Sequence, residues 1–498
     1  MGVRILIGDV FDRLAGLDDE SVHCCVFSPP YWGLRDYGVA GQIGMEPTLG
    51  EHLDVMVRLM REVRRVLRPD GTVWLNYGDC YATQPNGRSA TDTKAEGNDD
   101  RTFRDKPFST VGPIYVPDHE GGDRRGHSDC KQNRNEGSNK TGRIVAGGVL
   151  KPKDLCLVPQ RLAIALQEDG WWVRSEIIWH KPNPMPESVS DRPVSAHEKL
   201  YLLTKSDKYF YDAEAVREPA AQSTVERFCQ DIDAQVGSAR ANGGVREERP
   251  MKAVGNGTTR HIRNVWTFAT SPFRVEMCTS CGEIFLDETL GCIRTEDYVD
   301  ANGKDRIRRV CPCGAHDAWL SHFATFPPAL VEPCVKAGTS EQGVCPECGA
   351  PYARMVEKSH KNDSTADGRP AKGNHKAGNE DSTKTFASGE RTRLHTRTIG
   401  WQPTCTCDAG PPVPALVLDP FGGAGTTGLV AQELGRDAVL IELNEDYAAI
   451  AHKRLHAAMP LFADVVREWG TPSGPVKTYS AVLKTCVREA NSKKRAAG

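Results

Sequence analysis

Two short segments near opposite ends of the chain carry side chains suited to chemistry. Ser28-Pro29-Pro30-Tyr31 follows an apolar run, Val22 to Phe27, that reads as a short buried strand. Two consecutive prolines cannot donate to a sheet ladder and have φ set at about −65°, so the chain leaves the sheet in one rigid direction. It leaves with a hydroxyl, a carbonyl and two aromatic rings, Tyr31 and Trp32. Acceptors beside a stacking face suit the capture of a flat ring bearing an amino group. An ordinary strand-terminating turn has the same outline. The second segment, Asp419-Pro420-Phe421-Gly422-Gly423-Ala424-Gly425-Thr426-Thr427-Gly428, also follows an apolar run. Glycines there let the backbone approach a ligand closely, and Glu442, ending the next strand, is placed to bind both hydroxyls of a ribose.

Cysteines make a third set. The chain has 17, and in a reducing compartment metal ligation or burial is expected in place of disulfides. Cys278-x-x-Cys281 with Cys311-x-Cys313, and Cys345-x-x-Cys348 with Cys405-x-Cys407, each offer four thiolates, the donor set of tetrahedral structural zinc. Two Zn²⁺ ions are therefore expected, each with all four positions filled and none left for catalysis. Gly282, Gly314 and Gly349 follow three of the pairs, as metal knuckles require. Pairing across the sets stays open, as does a reading as scattered buried cysteines. Cys24, Cys25, Cys80, Cys156, Cys229, Cys292, Cys334 and Cys486 read as structural, and Cys130 receives no role.

The elements that must position these groups follow the pattern of a parallel α/β sheet. At 498 residues, 39% of them apolar, the chain has room for two or three domains with a real core. A net charge of −3 gives no global basic signal, so nucleic acid would meet a local patch. The N-terminus lacks the shape of a signal peptide and no run of about 18 apolar residues exists, so a cytoplasmic protein with no membrane partner is expected. Strands are expected over Arg4 to Asp9, Thr72 to Tyr77, Trp171 to Trp179, Lys199 to Thr204 with a continuation at Tyr209 to Tyr211, Leu416 to Asp419 and Ala438 to Ile441. Asn264 to Ala269 is a short apolar return. Helices are expected over Val10 to Leu17, Leu155 to Gln167, Leu429 to Leu434 and Tyr447 to Ala458. Glu51 to Leu67 is amphipathic, with Leu53, Val57, Met60, Val63, Val66 and Leu67 on one face. Arg68-Pro69-Asp70-Gly71 reads as a turn. Residues 82–150 form a polar insertion that either folds over a polyanion or is solvated filler, and Lys358 to Arg397 reads as a disordered loop. The tail carries Lys484, Arg488, Lys493, Lys494 and Arg495 and reads as solvated.

Gly423-x-Gly425-x-x-Gly428 formally matches a dinucleotide fingerprint, which makes an NAD-dependent oxidoreductase the rival class. Against it, the fingerprint lies near the C-terminus with no second nucleotide-binding half after it. Asp419 would also repel a pyrophosphate, whereas an anionic site suits a cationic sulfonium. Nothing in that rival needs Ser28 to Tyr31.

Here the chain resembles the amino-methylating DNA methyltransferases of the permuted (β) order, in which an S/D-P-P-Y half comes first and a D-P-F-x-G-x-G-T-T half last. Ile7-Gly8-Asp9, His322-Phe323-Ala324-Thr325-Phe326-Pro327, Trp179-His180-Lys181-Pro182 and His197-Glu198-Lys199-Leu200-Tyr201 resemble further motifs of that family. The resemblance implies an α/β, Rossmann-like S-adenosylmethionine-dependent methyltransferase sheet in permuted order, with zinc-ribbon insertions and a polar recognition region. It divides the chain into catalytic segments (1–81 and 151–212), a polar flexible insertion (82–150) and a target-recognition region with the first cysteine set (213–320). A cofactor-covering segment (321–344), the second set (345–407), a cofactor half (408–470) and a tail (471–498) follow.

It implies Ser28, Pro29, Pro30 and Tyr31 as catalytic, with Tyr31 stacked on the base. Cofactor binding is implied at Asp9 (adenine side), Phe326, Asp419, Pro420, Phe421, Gly423, Gly425, Thr426 and Glu442 (ribose). On local grounds Asp9 serves equally as a helix cap. Ser at the first motif position leans to N4 of cytosine, with N6 of adenine as the alternative. Double-stranded DNA with a flipped target base is the implied partner, and the family allows a cognate restriction nuclease. The zinc sets are expected to shape recognition, so a chelator should cost stability or DNA affinity before cofactor affinity.

Overall fold

The computed structural model describes residues 2–34, 37–82, 114–116, 143–145, 149–223, 259–270, 275–299, 304–316, 319–321, 326–362, 392–458 and 464–469. Among these, the apolar runs assemble into a nine-stranded sheet. Its strands are β1 (Gly2–Ile7), β2 (Val22–Phe27), β3 (Leu67–Tyr77), β4 (Trp172–His180), β5 (His197–Thr204), β6 (Val265–Thr267), β7 (Leu416–Asp419), β8 (Asp437–Glu442) and β9 (Asp464–Trp469). They lie in the order β6-β4-β5-β3-β2-β7-β8-β1-β9. Every neighbouring pair is parallel except the two made by β5. Strands buried on both faces need unbroken apolar runs, and all six residues of β2 and all four of β7 are buried. The chain's ends meet here: Val417 and Leu418 pair with Cys24 and Cys25, and β1 lies between β8 and β9.

Helices cover both faces. α1 (Val10–Ala15), α2 (Leu49–Val66) and α3 (Val158–Glu168) pack on one; α4 (Pro328–Gly338), α5 (Thr426–Glu433) and α6 (Glu445–Ala458) pack on the other. Thr48 and Glu51 close a capping box at the start of α2. Its buried face is His52, Met56, Leu59, Met60, Val63 and Val66, while Leu53 and Val57, expected inside, are half-buried at its margin. No described helix is long and apolar enough to cross a membrane.

Several expectations need correction. Arg68 to Gly71 is not a separate turn: it lies inside β3, where a register shift between Val22 and Cys24 absorbs it. Tyr209 to Tyr211 does not continue β5, and Phe210 N–H instead binds the Asp70 carbonyl at 2.8 Å. α5 starts at Thr426, three residues before the expected Leu429, because Gly425 caps it with a φ of +80°. Both ends of the supposed loop Lys358 to Arg397 belong to a long hairpin, Tyr352–Asn362 with Thr392–Pro403. Cross-strand pairing, not apolar content, orders these polar strands. Val265–Thr267, within the expected recognition region, is an edge strand of the main sheet. Cys292, read as structural, is exposed. His322 to Thr325, most of 82–150 with Cys130, Cys229, and the tail with Cys486 lie outside the described residues.

Candidate active site

Open parallel sheets bind ligands beyond the carboxyl ends of their strands. Here the loops after β1, β2, β7 and β8 line an open cleft. Gly8 and Asp9, Ser28 and Pro30, Asp419 to Ala424 with Thr426, and Glu442 to Asn444 line it, joined by Tyr37, Phe326 and Tyr447. The two segments singled out in the sequence therefore face one space. Pro29 is buried behind the lining. Gly425 does not line the cleft either. A Cβ there would lie 3.1 Å from Ala451 Cβ, so this glycine serves the approach of α5 to α6.

Among the described residues, three carboxylates stand in this lining, and none of those that line it is Lys, Arg or His. Asp9 Oδ1 accepts from Phe11 N–H at 2.9 Å and Asp12 N–H at 3.3 Å, so it caps α1 as well as facing the cleft. Glu442 Oε2 accepts from Gly423 N–H and Oε1 from Asn444 N–H, both at 2.8 Å. Gly423 turns that N–H inward with a φ of +48°. Asp419 Oδ2 accepts from Thr427 Oγ1 at 2.6 Å, and Oδ1 from Phe421 N–H at 2.9 Å. Its carboxylate thus braces the glycine turn from below. Burial pushes Asp419 up to about 7, and the Glu442 charge adds to this. Burial likewise pushes Glu442 up to about 7. Like negative charges gathered in a partly buried cleft attract a cation and repel a pyrophosphate.

On the other wall, Ser28 Oγ lies 3.2 Å from Tyr31 Oη. Tyr31 Oη donates to Glu198 Oε2 at 2.8 Å, and Asn76 Nδ2 donates to Tyr31 Oη at 2.8 Å and to Glu198 Oε2 at 2.9 Å. Lys181 Nζ pairs with Glu198 Oε1. Burial holds the Tyr31 phenol well above its usual range, so it stays neutral. Its ring stacks on Tyr77, with centroids 4.8 Å apart at 27°. Trp32, expected as a second stacking ring, is core instead. It is 1% exposed, and its indole N–H binds the Glu46 carbonyl at 2.9 Å.

Each cysteine set converges as its spacing predicts: within each, the four sulfurs lie within 4.8 Å of one another. Cys278 and Cys313 Sγ are 3.8 Å apart, and Cys281 and Cys311 Sγ 3.7 Å. The edge of a tetrahedron with metal–sulfur bonds of about 2.3 Å is about 3.8 Å. Gly282, Gly314 and Gly349 have φ of +74°, +92° and +69°, the knuckle conformation. The first set roots a small sheet, Glu276–Cys278 with Ile284–Phe285 and Trp319–Ser321. Val275, Met277 and Ile284 of that unit pack on Ala424, Tyr447 and Ile450 at the cleft wall. The second set sits at the opposite end of the strands. Arg68 Nη1 donates to the Cys348 carbonyl at 2.8 Å, and His23 Nε2 meets the Gly349 carbonyl at 3.0 Å.

Sequence reasoning did not assign Tyr37, Asn444 or Tyr447 to the cleft, nor Asn76, Lys181 and Glu198 to the serine loop. Lys181 and Glu198 stood within family-like motifs. Asn76 had no signal beyond its place at a strand's end.

Comparison with known proteins gives the family. The DNA methylase family matches residues 22–346 and 412–453. The Type II methyltransferase M.SmaI of Serratia marcescens is 30% identical over 91% of this chain and 90% of its own. The Type II methyltransferase M.Cfr9I of Citrobacter freundii is 31% identical over 91% and 88%. Among solved structures, the PvuII DNA methyltransferase described as cytosine-N4-specific aligns over 94% of this chain and 95% of its own, at 13% identity and a TM-score of 0.42. An M1.HpyAVI–SAM complex aligns over 91% and 98%, at 12% and 0.33. The sequence matches leave no place for the dinucleotide rival: the chain belongs to the DNA methylase family, the amino-methylating DNA methyltransferases.

Proposed function

We propose that the protein transfers a methyl group from S-adenosylmethionine to the exocyclic N4 of cytosine in duplex DNA. The observation that carries this reading is the single cleft shared by the Ser28 loop and the Asp419–Glu442 wall. When bound, S-adenosylmethionine would supply an electrophilic methyl on a sulfonium. The residues present fit such a group, since the described lining is acidic, holds no basic side chain and carries an aromatic, Phe326. Glu442 would hold the ribose, Asp9 the adenine side, and the Asp419-braced turn with Gly423 the methionine end.

An exocyclic amine conjugated with its ring is a weak nucleophile. Acceptors at the Ser28 hydroxyl and the Pro29 carbonyl would draw its hydrogens toward tetrahedral geometry and localise the lone pair. The amine is paired in a duplex, so the base must leave the stack first. Holding both reactants in line then supplies much of the rate. Tyr31, whose one face lies on Tyr77, would stack its other face on the base. Ser28 favours cytosine N4 over adenine N6 by family resemblance.

Nucleoside digestion and mass spectrometry of unmodified DNA after incubation should yield N4-methylcytosine. N6-methyladenine would overturn the choice of base, and no methylated base at all would overturn the reading. Each cysteine set is proposed to hold one structural Zn²⁺, so elemental analysis of the purified chain should give about two zinc per molecule; none would overturn that assignment.

A further inference from the structure

The Ser28 hydroxyl stands at the cleft end of a hydrogen-bond chain whose direction is set by chemistry. A carboxylate oxygen only accepts, so the 2.8 Å bond to Glu198 Oε2 uses the Tyr31 hydrogen. An amide nitrogen only donates, so Asn76 Nδ2 fills one lone pair of Tyr31 Oη at 2.8 Å. It also holds Glu198 Oε2 at 2.9 Å, which fixes phenol and carboxylate together. With its hydrogen committed, Tyr31 meets Ser28 only as an acceptor, and Ser28 must donate across the 3.2 Å contact. Asn76 Nδ2 also stands 3.5 Å from Ser28 Oγ, so Ser28 turns a lone pair, and no hydrogen, toward the cleft it lines.

We propose that Ser28, Tyr31 and Glu198 form a proton relay for methyl transfer, with Glu198 as its terminus and Asn76 as the residue that positions it. The proposal rests on the methyltransferase reading above. In the transfer, the amine nitrogen forms a bond to the methyl carbon and the carbon–sulfur bond breaks, its electron pair going to sulfur. The nitrogen is then cationic and carries one proton too many. That proton passes to Ser28 Oγ as the serine proton passes to Tyr31 Oη and the phenol proton to Glu198 Oε2. The exocyclic nitrogen of an electron-poor nucleobase, once methylated and cationic, is a far stronger acid than a carboxylic acid. The carboxylate therefore takes its proton even with Lys181 paired to the other oxygen. Water reached from the cleft is not needed, so the reacting amine can be enclosed.

The test is single-turnover methyl transfer to duplex DNA with labelled S-adenosylmethionine, beside equilibrium binding of each. Glu198→Gln keeps an acceptor for Tyr31 and cannot take a proton, and its rate should fall about 100-fold or more with both affinities held within about threefold. Tyr31→Phe keeps the ring on Tyr77, removes the middle of the relay, and should fall as far. If Glu198→Gln does not fold, Tyr31→Phe decides. The double variant should be no slower than the worse single one, as members of one unit behave. A rate within about fivefold of the wild type for either single variant would overturn the relay. So would losses that multiply in the double variant, or a rate loss matched by an equal loss of affinity. A wild-type chain that methylates no DNA would overturn the reading beneath it instead.

Discussion

At the carboxyl ends of β7 and β8, the buried Asp419 and the half-buried Glu442 are both held up at about 7. At the amino end of β2, His23 is buried with every ring position matched. Leu416 N–H donates to Nδ1 at 3.1 Å, and Nε2–H donates to the Gly349 carbonyl at 3.0 Å. That pairing requires the neutral ring. Burial, with the Arg68 charge, holds its pKa down to about 4. The two edges respond to acid with opposite sign. The raised carboxylates stabilise the free fold below their ordinary range, and this is lost as pH rises through about 7. The depressed histidine stabilises it above the ordinary value of 6.5, and this is lost as pH falls through about 4. An edge with uncompensated like charge is built to receive a cation, whereas an edge with matched donors and acceptors is a seam. The cysteine sets divide the same way: the first props the cleft wall through Tyr447 and Ile450, and the second closes the seam through Arg68 and His23.

The sharpest break between the edges should come at Ser28. Ser28→Ala should slow methyl transfer by about 10²–10³-fold, the scale of one lost preorganised contact, with cofactor affinity and thermal midpoint unchanged. Near-full activity by filter-binding assay would remove the cleft edge's claim to chemistry. At the seam, unfolding by urea should show about 2 kcal/mol lost between pH 7 and 5 to the His23 linkage, and His23→Gln should flatten that part of the curve. Parallel curves for variant and parent would show that the neutral ring carries no stability.

A smaller effect separates the cysteine sets. Cys311→Ser should weaken S-adenosylmethionine binding about tenfold by calorimetry, while Cys348→Ser lowers the thermal midpoint and leaves affinity within about twofold. Equal behaviour would erase the distinction. This differs from the expectation that metal loss costs stability or DNA affinity before cofactor affinity, because the first set packs directly on the cleft wall. Last, cofactor affinity should rise about tenfold from pH 6 to 8, since a cation competes with protons for Asp419 and Glu442. A flat profile would mean the lining does not sense the sulfonium charge.

Much of the sheet was legible because its inner strands are buried on both faces and so read as continuous apolar runs. Both loops were legible through Pro29-Pro30 and the Gly423–Gly425 turn, which constrain φ locally. The edge strand Asp464–Trp469 went unread, and the polar hairpin Tyr352–Asn362 with Thr392–Pro403 was taken for a loop at its far end. Such strands owe their order to a partner, which local composition does not name. Trp32 misled for a related reason: its neighbours, Glu46 and His52, make it core.

Residue types and short spacings were enough to specify a proline-stiffened serine loop, an acid-flanked glycine turn and four cysteine pairs, because each acts through its own backbone torsions; which pairs join into one four-thiolate set was decided by the fold. Which cysteine set serves the cleft, and how Glu198 comes to a tyrosine 167 residues away, were decided only when the sheet order brought β5 beside β3 and β2 beside β7. Contacts of that range depend on how strands are stacked across the sheet, and no local run of residues encodes that order.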